Sequence, residues 1–209
     1  MPQPSSSNRF LTTLVNGGNS LPLFWLLLAL PAFPFLIEII RAERYYPELM
    51  YETGILSVQM FTAALLITPL RWLTARFPRI VTIVLWLQKR RRAMGIAAFG
   101  YAALHLYFYL RYTADLGEIL PEMLDPDIAT GWIALALMAL AAAISNNISQ
   151  RRLGRNWKRL QRLVYPAALL VALHWWLIGN FLDDLWFYAT LLIVFQLLRG
   201  VWMARRGKT

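Results

Sequence analysis

The chain has 209 residues, of which 58% are hydrophobic and only 15% are charged, and its mean hydropathy is +0.47. Soluble domains have about 45–50% apolar and about 25% charged residues, so this composition excludes an ordinary soluble domain and, despite a net charge of +10, a nucleic-acid binder. The absence of cysteine excludes disulfides, thiolate metal sites, cysteine nucleophiles and the covalent attachment of c-type haem.

The apolar residues form long blocks without an amphipathic period, which is typical of helices that cross a bilayer. We predict six such spans: Leu21–Ile37, Thr53–Leu70, Ala93–Leu110, Ala129–Ser145, Leu163–Gly179 and Leu185–Met203. No small-residue cleavage site is evident near the first span, so we expect it to be uncleaved, and its three prolines predict a kink. The run IVTIVLWL at 80–87 is too short to cross, and we expect it to lie in the plane of the interface.

The charges segregate between the two sets of loops that these spans define. All eleven acidic residues fall on one side, and eighteen of the twenty-one Lys and Arg residues fall on the other, mostly in 71–92 and 146–162. Loops rich in Lys and Arg stay in the cytoplasm, where they also contact anionic lipid. We therefore predict an all-α integral membrane protein, a six-helix bundle forming a single domain over 1–209, with both termini in the cytoplasm.

The two histidines of the chain, His105 and His174, each lie within an apolar run, AALHLYFYL and VALHWWLIG. His105 comes thirteen residues after Arg92, and His174 comes twelve residues after Arg162, both counted from the cytoplasmic ends of their spans. At 1.5 Å per residue, both imidazoles lie about 18–20 Å from the cytoplasmic edge, in the outer half of a hydrocarbon core about 30 Å thick. Ionisable residues inside spans are usually functional, so two at one depth predict a paired role.

Two imidazoles without nearby carboxylates or thiolates do not complete a zinc site, which has three or four protein ligands. They suit the iron of one haem b with an axial ligand from each helix, and we predict His105 and His174 as these ligands. Arg111, near the outer end of the third span, is a candidate partner for a haem propionate or simply an exposed loop residue. Small residues on the same helix faces leave room for a porphyrin or allow close helix packing: Ala98, Ala102, Ala167 and Val171.

Several segments of the chain resemble the haem-binding membrane subunits of bacterial protein-methionine-sulfoxide reductase systems, within the ferric-reductase-like transmembrane superfamily. They are Thr53–Gly54 and the later ITPLR, R-R-x-x-G at Arg91–Gly95, ALH at Ala103–His105, RRLGRNWKRLQRLVY at Arg151–Tyr165 and ALHWW at Ala172–Trp176. The resemblance covers about residues 50–180. It implies a six-helix b-type cytochrome of the bacterial inner membrane in which His105 and His174 match the family's haem ligands.

The resemblance also implies the partners. Electrons would come from the quinone pool or a cytoplasmic flavin reductase, with FMN or a quinone as a further candidate cofactor. They would pass through haem to a periplasmic molybdenum-cofactor reductase that repairs oxidised methionine. The chain shows no G-x-G-x-x-G unit, so we expect an electron-transfer subunit without a substrate site of its own.

One position departs from the family pattern. Where the family has a histidine in W-x-x-L-H-x-x-x-Y, this chain reads WKRLQRLVY, with Gln161 at that place. In two-haem relatives a histidine at this spacing holds an inner haem, and the matching position of the third span falls at Arg91 or Arg92, which are not haem ligands. We therefore predict one haem, in the outer half of the membrane.

Two other functions remain compatible with the sequence. One is a stand-alone ferric or quinone reductase that works without a molybdenum partner. The other is a proton-coupled transporter without haem, in which the two histidines relay protons. Against the transporter, the spans contain no acidic residue that could pair with a histidine, and no inverted repeat is evident.

Overall fold

The computed structural model describes residues 21–41, 46–113, 116–179 and 182–206, and every regular element within these ranges is a helix. In chain order the elements are α1 (Leu21–Ala29), a 3₁₀ turn (Leu30–Ala32), α2 (Phe33–Arg41), α3 (Tyr46–Leu73), α4 (Pro78–Thr113), α5 (Leu116–Glu122), α6 (Pro126–Ala143), α7 (Asn147–Leu153), α8 (Arg155–Leu160), a second 3₁₀ turn (Gln161–Leu163), α9 (Val164–Ile178) and α10 (Leu182–Arg206).

Four helical stretches are long and apolar enough to cross a membrane, and they correspond to the first four predicted spans: Pro22–Arg41, Tyr46–Leu73, Pro78–Thr113 and Pro126–Ala143. The last two predicted spans fall on α9 and α10, which are helical but offer shorter apolar stretches. α9 has 15 residues, or about 22 Å of helix, against a hydrocarbon core of about 30 Å. The apolar part of α10 is Asp184–Leu198.

The first apolar stretch is interrupted at Pro31, as its proline content predicts. The 3₁₀ turn Leu30–Ala32 separates α1 from α2 there, because proline has no N–H to donate and its ring obstructs the preceding turn. The Leu28 carbonyl, next to this interruption, accepts a hydrogen bond of 2.6 Å from the Tyr101 hydroxyl of α4. This bond ties the first stretch to the rest of the bundle.

The prediction of a separate interfacial segment at 80–87 is wrong. These residues form the early turns of α4, which runs without a break for 36 residues. Neither proline nor glycine occurs between Arg79 and Met94, so nothing in the sequence ends the helix there. Val84 is only 5% exposed and belongs to a cluster that contains Phe24 of α1 and Ile67 of α3. The segment is therefore part of the bundle.

The helices near the centre form two antiparallel hairpins, α3 with α4 and α6 with α9, and each helix packs mainly against its hairpin partner. Met50, near the start of α3, contacts His105 near the end of α4, and Asp127, at the start of α6, contacts His174 near the end of α9. Buried side chains from both hairpins meet in one group, which we call the central cluster: Phe61, Leu65, Ala98, Met138 and Ala167. This cluster holds the two hairpins together.

The outer helices follow the directions of the hairpins. Tyr51 and Gln59 of α3 bond in that order to Asp184 and Tyr188 of α10, so α10 runs parallel to α3. Phe24 of α1 packs against Trp86 near the start of α4, with ring centres 5.6 Å apart, whereas Phe35 of α2 packs against Phe108 near its end, at 6.3 Å, so the α1–α2 stretch runs parallel to α4 and antiparallel to α3. The starts of α3, α6 and α10 and the ends of α4 and α9 consequently lie at one end of the bundle.

Candidate functional site

A cavity of about 510 Å³ lies between the two hairpins, at the end of the bundle where α3 and α6 begin. Its wall is largely apolar and aromatic, with Ile55, Leu106, Trp132, Leu135 and Trp175 among the lining residues. Pockets for small molecules and cofactors have volumes of about 300–1,000 Å³ and this kind of lining. The cavity is thus large enough for an organic cofactor.

His105 and His174 enter this cavity from α4 and α9, one from each hairpin. Their ring centres are 6.3 Å apart and their planes are nearly perpendicular, at 87°. Metal–imidazole bonds of about 2.0–2.1 Å put two nitrogens on opposite sides of one metal about 4 Å apart, and the ring centres about 6 Å apart. The two rings therefore have the spacing of a pair that shares one metal ion.

Each histidine uses its Nδ1 atom to bond a main-chain carbonyl. The distances are 2.7 Å from His105 Nδ1 to the Met50 oxygen and 2.6 Å from His174 Nδ1 to the Asp127 oxygen. A carbonyl only accepts, so both Nδ1 atoms carry the proton and both Nε2 atoms keep a free lone pair. This second bond is the one that metal-ligating histidines usually make.

Glycines make these contacts sterically feasible. Gly54 and Gly131 each come four residues after the carbonyl that accepts from a histidine. A Cβ atom at Gly54 would lie 3.0 Å from His105 Nδ1, and one at Gly131 would lie 2.8 Å from His174 Cε1. Carbon atoms pack best at about 3.5–4.0 Å, so a larger residue would force the neighbouring ring to shift, by more at Gly131 than at Gly54.

Gly131 and its neighbour Thr130 are site residues that the sequence analysis did not identify. Thr53–Gly54 was considered only as part of the family resemblance. The same dipeptide recurs at Thr130–Gly131, in the first turns of the next hairpin, and this recurrence in the sequence could have indicated that both pairs belong to the site.

Among the described residues, these two are the imidazole donors that line the cavity. Within the described ranges, no group of three or more His, Cys, Asp or Glu side chains could hold a metal ion. A metal bound between His105 and His174 would therefore need most of its ligands from a cofactor. A porphyrin supplies such ligands, and the largely apolar cavity suits its ring.

The remaining candidate residues divide into two groups. Ala102 and Val171 line the cavity, whereas Ala98 and Ala167 are fully buried in the central cluster and are not among the lining residues. Arg111 is exposed and lies outside the lining set. Its guanidinium donates a 3.4 Å hydrogen bond to the Tyr46 hydroxyl.

Tyrosines and acids surround the end of the cavity that is farthest from the central cluster. Tyr109 donates a 2.7 Å hydrogen bond to Glu122, and Tyr51 donates one of the same length to Asp184. Asp127 also contributes to the lining, and none of the described lining residues is Lys or Arg. This end of the cavity is therefore polar and acidic.

The positions that would match an inner haem are engaged in other polar contacts. Gln161 donates hydrogen bonds to the Ala141 carbonyl, at 3.1 Å, and to the Ser145 hydroxyl, at 2.9 Å. Arg92 donates to the side-chain amide oxygens of Asn147 and Gln150, at 2.7 and 2.9 Å. At this end of the bundle, Arg92 thus ties α4 to α7, and Gln161 bonds to residues near the end of α6.

Comparison with known proteins gives the family. Residues 53–172 match the model of the ferric reductase like transmembrane component, and this stretch includes His105 and ends two residues before His174. No solved structure matches the chain.

Curated relatives carry the name "Protein-methionine-sulfoxide reductase heme-binding subunit MsrQ". The relative from Xanthomonas axonopodis pv. citri is 38% identical over 153 residues, which are 70% of this chain and 66% of the relative. The one from Brucella ovis is 37% identical over 124 residues, or 58% and 52% of the two chains. The chain thus spans about two thirds of the length of the first and half of the second. With more than half of its residues matched, the chain belongs to the ferric reductase-like transmembrane family and is a multi-pass protein of the bacterial inner membrane.

Proposed function

We propose that this protein is a b-type cytochrome subunit that relays electrons across the inner membrane for the repair of methionine sulfoxide. The observation that carries the proposal is the pairing of His105 and His174, with ring centres 6.3 Å apart and both Nδ1 atoms bonded to carbonyls. This arrangement leaves the two Nε2 atoms available, and they would hold the iron of one haem. The relatives' name, which includes "heme-binding subunit", agrees with it.

The residues around the histidines fit a haem in their chemistry. The lining is largely apolar, so it would bury a porphyrin and keep water from the iron, and Ala102 and Val171 leave space on the helix faces below the histidines. Met50 and Asp127 fix the two rings through their carbonyls. A haem bound there would supply one-electron redox chemistry. The protein's own part is ligation, orientation and exclusion of water.

A single haem agrees with the packing on the side of the cavity that faces the basic end of the bundle. The central cluster fills the space between the hairpins there, and its residues Ala98 and Ala167 are 0% exposed. Farther along, Gln161 and Arg92 are committed to the hydrogen bonds described above. Neither residue offers an imidazole, so this region is unsuited to a second bis-histidine haem. We therefore expect a haem-to-protein ratio of one.

Helix directions support the proposed topology of six spans in one domain over 1–209. The α1–α2 stretch, α4 and α9 run one way, and α3, α6 and α10 run the other way. Six crossings in alternating directions would put both termini on one side of the membrane. That side carries most of the Lys and Arg residues, which favours the cytoplasm. The cavity then lies in the outer half of the membrane, as the depth of the histidines predicts.

The partners follow from this orientation and from the name of the relatives. We propose that quinol or a cytoplasmic flavin reductase delivers electrons at the basic face, with a quinone or FMN as the additional cofactor. The acceptor is a periplasmic molybdenum-cofactor reductase, which receives electrons near the acidic end of the cavity. Glu122 and Asp127 give that end its negative charge and suit an acceptor with a basic surface.

The first test is the absorption spectrum of the purified full-length protein. We expect a b-type spectrum and one haem per chain, and we expect His105→Ala and His174→Ala to abolish haem binding while the protein still inserts into the membrane. A colourless wild type after haem supplementation would contradict the proposal and favour the transporter. A ratio near two would contradict the single site.

The second test separates the electron-relay partner from a stand-alone reductase. Reduced protein in liposomes is mixed either with a periplasmic methionine-sulfoxide reductase or with ferric citrate, and reoxidation of the haem is followed by absorbance. We expect rapid reoxidation of the haem in the mixture with the oxidised reductase and slow reoxidation in the mixture with ferric citrate. Rapid reoxidation by ferric citrate alone would instead support a ferric reductase.

A further inference from the structure

Two threonines contact the same carbonyls as the histidines. The Thr53 hydroxyl lies 2.7 Å from the Leu49 oxygen and 3.0 Å from the Met50 oxygen. The Thr130 hydroxyl lies 2.9 Å from the Pro126 oxygen and 2.8 Å from the Asp127 oxygen. Met50 and Asp127 are the residues whose carbonyls accept from His105 and His174.

The two sites repeat one arrangement. In each hairpin, a Thr–Gly pair follows the accepting carbonyl by three and four residues, and the histidine comes from the antiparallel partner helix. The glycine makes room for the ring, and the threonine reaches back to the carbonyl. Both hairpins begin at the same end of the bundle, so the repeat is of the parallel kind known in membrane proteins.

Each of these carbonyls serves more donors than it has lone pairs. A carbonyl oxygen has two lone pairs, and in an α-helix it already accepts from the N–H four residues later, here that of Gly54 or Gly131. The histidine Nδ1–H is a second donor, and the threonine hydroxyl is a third through its single proton, which it shares with the preceding carbonyl, that of Leu49 or Pro126. The threonine and the histidine therefore compete for the same oxygen.

We propose that Thr53 and Thr130 are positioning residues that tune the basicity of the two haem ligands. Each hydroxyl competes with an imidazole Nδ1–H for the same acceptor, the carbonyl oxygen of Met50 or Asp127. The inference rests on the proposed haem site. A stronger Nδ1–H bond makes an imidazole more basic, and a more basic ligand stabilises ferric over ferrous iron. The threonines weaken that bond, so they raise the reduction potential of the haem.

A hydrogen bond from a threonine hydroxyl to a carbonyl three or four residues earlier does not by itself define this role, because such bonds are common in helices. Thr82 of α4, for example, donates to the Pro78 carbonyl four residues earlier, at 2.9 Å. Both histidines of the chain bond elsewhere, so the Pro78 carbonyl serves neither of them. Thr82 is therefore a matched control for the loss of a helical hydroxyl.

The test is the midpoint potential of the purified full-length holoprotein, obtained by redox titration of its absorption spectrum. We expect a shift to lower potential in Thr53→Val and in Thr130→Val, and a larger shift in the double variant than in either single variant, because each threonine acts on a different imidazole. The serine variants at both positions and Thr82→Val are expected to keep the wild-type potential. An unchanged potential in both valine variants, or equal shifts in the serine variants, would overturn the inference.

A second measurement tests the same competition in haem-free protein, so it also applies to a variant that fails to bind haem. In haem-free protein labelled with ¹⁵N-histidine, we expect the Nδ1–H proton resonance to move downfield in each valine variant, since its bond to the carbonyl strengthens. A resonance at the wild-type position would refute the competition. A wild type that binds no haem would refute the proposed function, whereas this NMR measurement tests the hydrogen bond independently.

Discussion

Replacing Gly131 by alanine should weaken haem binding more than any other single methyl group added in the bundle. The new Cβ would lie 2.8 Å from Cε1 and 2.9 Å from Nδ1 of His174. Carbon contacts are comfortable at about 3.5–4.0 Å, so the ring must retreat by about 1 Å. His174 Nδ1 is now 2.6 Å from the Asp127 oxygen, and a contact of about 3.6 Å is no longer a hydrogen bond.

The cost follows from these two changes. Losing a hydrogen bond at a buried group costs about 1–3 kcal/mol, and a side chain about 30° from its rotamer costs about 0.5–1.5 kcal/mol. The two ranges together give about 1.5–4.5 kcal/mol, and the lower half of that range, about 2–3 kcal/mol, corresponds to about 30- to 150-fold weaker haem binding, since about 1.4 kcal/mol is tenfold. Removal of a partner that orients a metal ligand usually has an effect of about this size, 10- to 100-fold.

The assay is titration of haem into haem-free protein in detergent, followed by the absorption band of the six-coordinate haem. Gly54→Ala should have a smaller effect, about tenfold, because its Cβ would come no closer than 3.0 Å to His105. Gly100→Ala is the control, since a Cβ there meets nothing within 4 Å. It should bind haem like the wild type and gain helix stability of up to about 1 kcal/mol.

The ranking of the three alanine variants is the decisive result. If Gly131→Ala bound haem as tightly as Gly100→Ala, the ring would not be held by its carbonyl, and the steric reasoning would be wrong. Equal losses in all three variants would point to a general effect of helix substitution.

Three further outcomes are expected. Gln161→His should not recruit a second haem, because the facing position on α4 is occupied by Arg92 and its amide partners, and the haem-to-protein ratio would show it. Tyr101→Phe should lower the free energy of unfolding in detergent by about 1 kcal/mol, since the Leu28 carbonyl loses its 2.6 Å hydrogen bond. An unchanged melting temperature would show that this bond does not stabilise the bundle. Ala167→Leu should cost about 1–3 kcal/mol by overpacking the central cluster, with a melting temperature equal to that of the wild type as the contrary result.

Much of the helical architecture could be predicted from apolar blocks and charge. The first four predicted spans lie on helices long enough to cross, because composition alone distinguishes them. The interface segment at 80–87 failed because its length was judged in isolation. Nothing between Arg79 and Met94 breaks a helix, and continuity through the basic residues joins the segment to the third span.

The candidate site was only partly visible in the sequence. The equal depth of His105 and His174 could be counted along the helices, and the structure brings the two rings together, although their role as ligands stays a prediction. The hydrogen-bond partners of their Nδ1 atoms could not be identified from the sequence. Met50 and Asp127 accept through main-chain oxygens, which every residue type has. Arg111 near the outer end of α4 is exposed and bonds the Tyr46 hydroxyl, and its contact with a haem propionate stays a prediction.

The small number of turns in α9 has a consequence for the lipid beside it. The helical turns before it contain Arg159 and Arg162, so the apolar length is that of these 15 residues and falls about 8 Å short of an average acyl-chain region. Mismatch costs fractions of a kcal/mol for each ångström, which favours local thinning of the bilayer on this flank. Water and phospholipid headgroups then come closer to His174 than in an undeformed membrane. Lipids with short acyl chains should therefore stabilise the protein more than lipids with long ones.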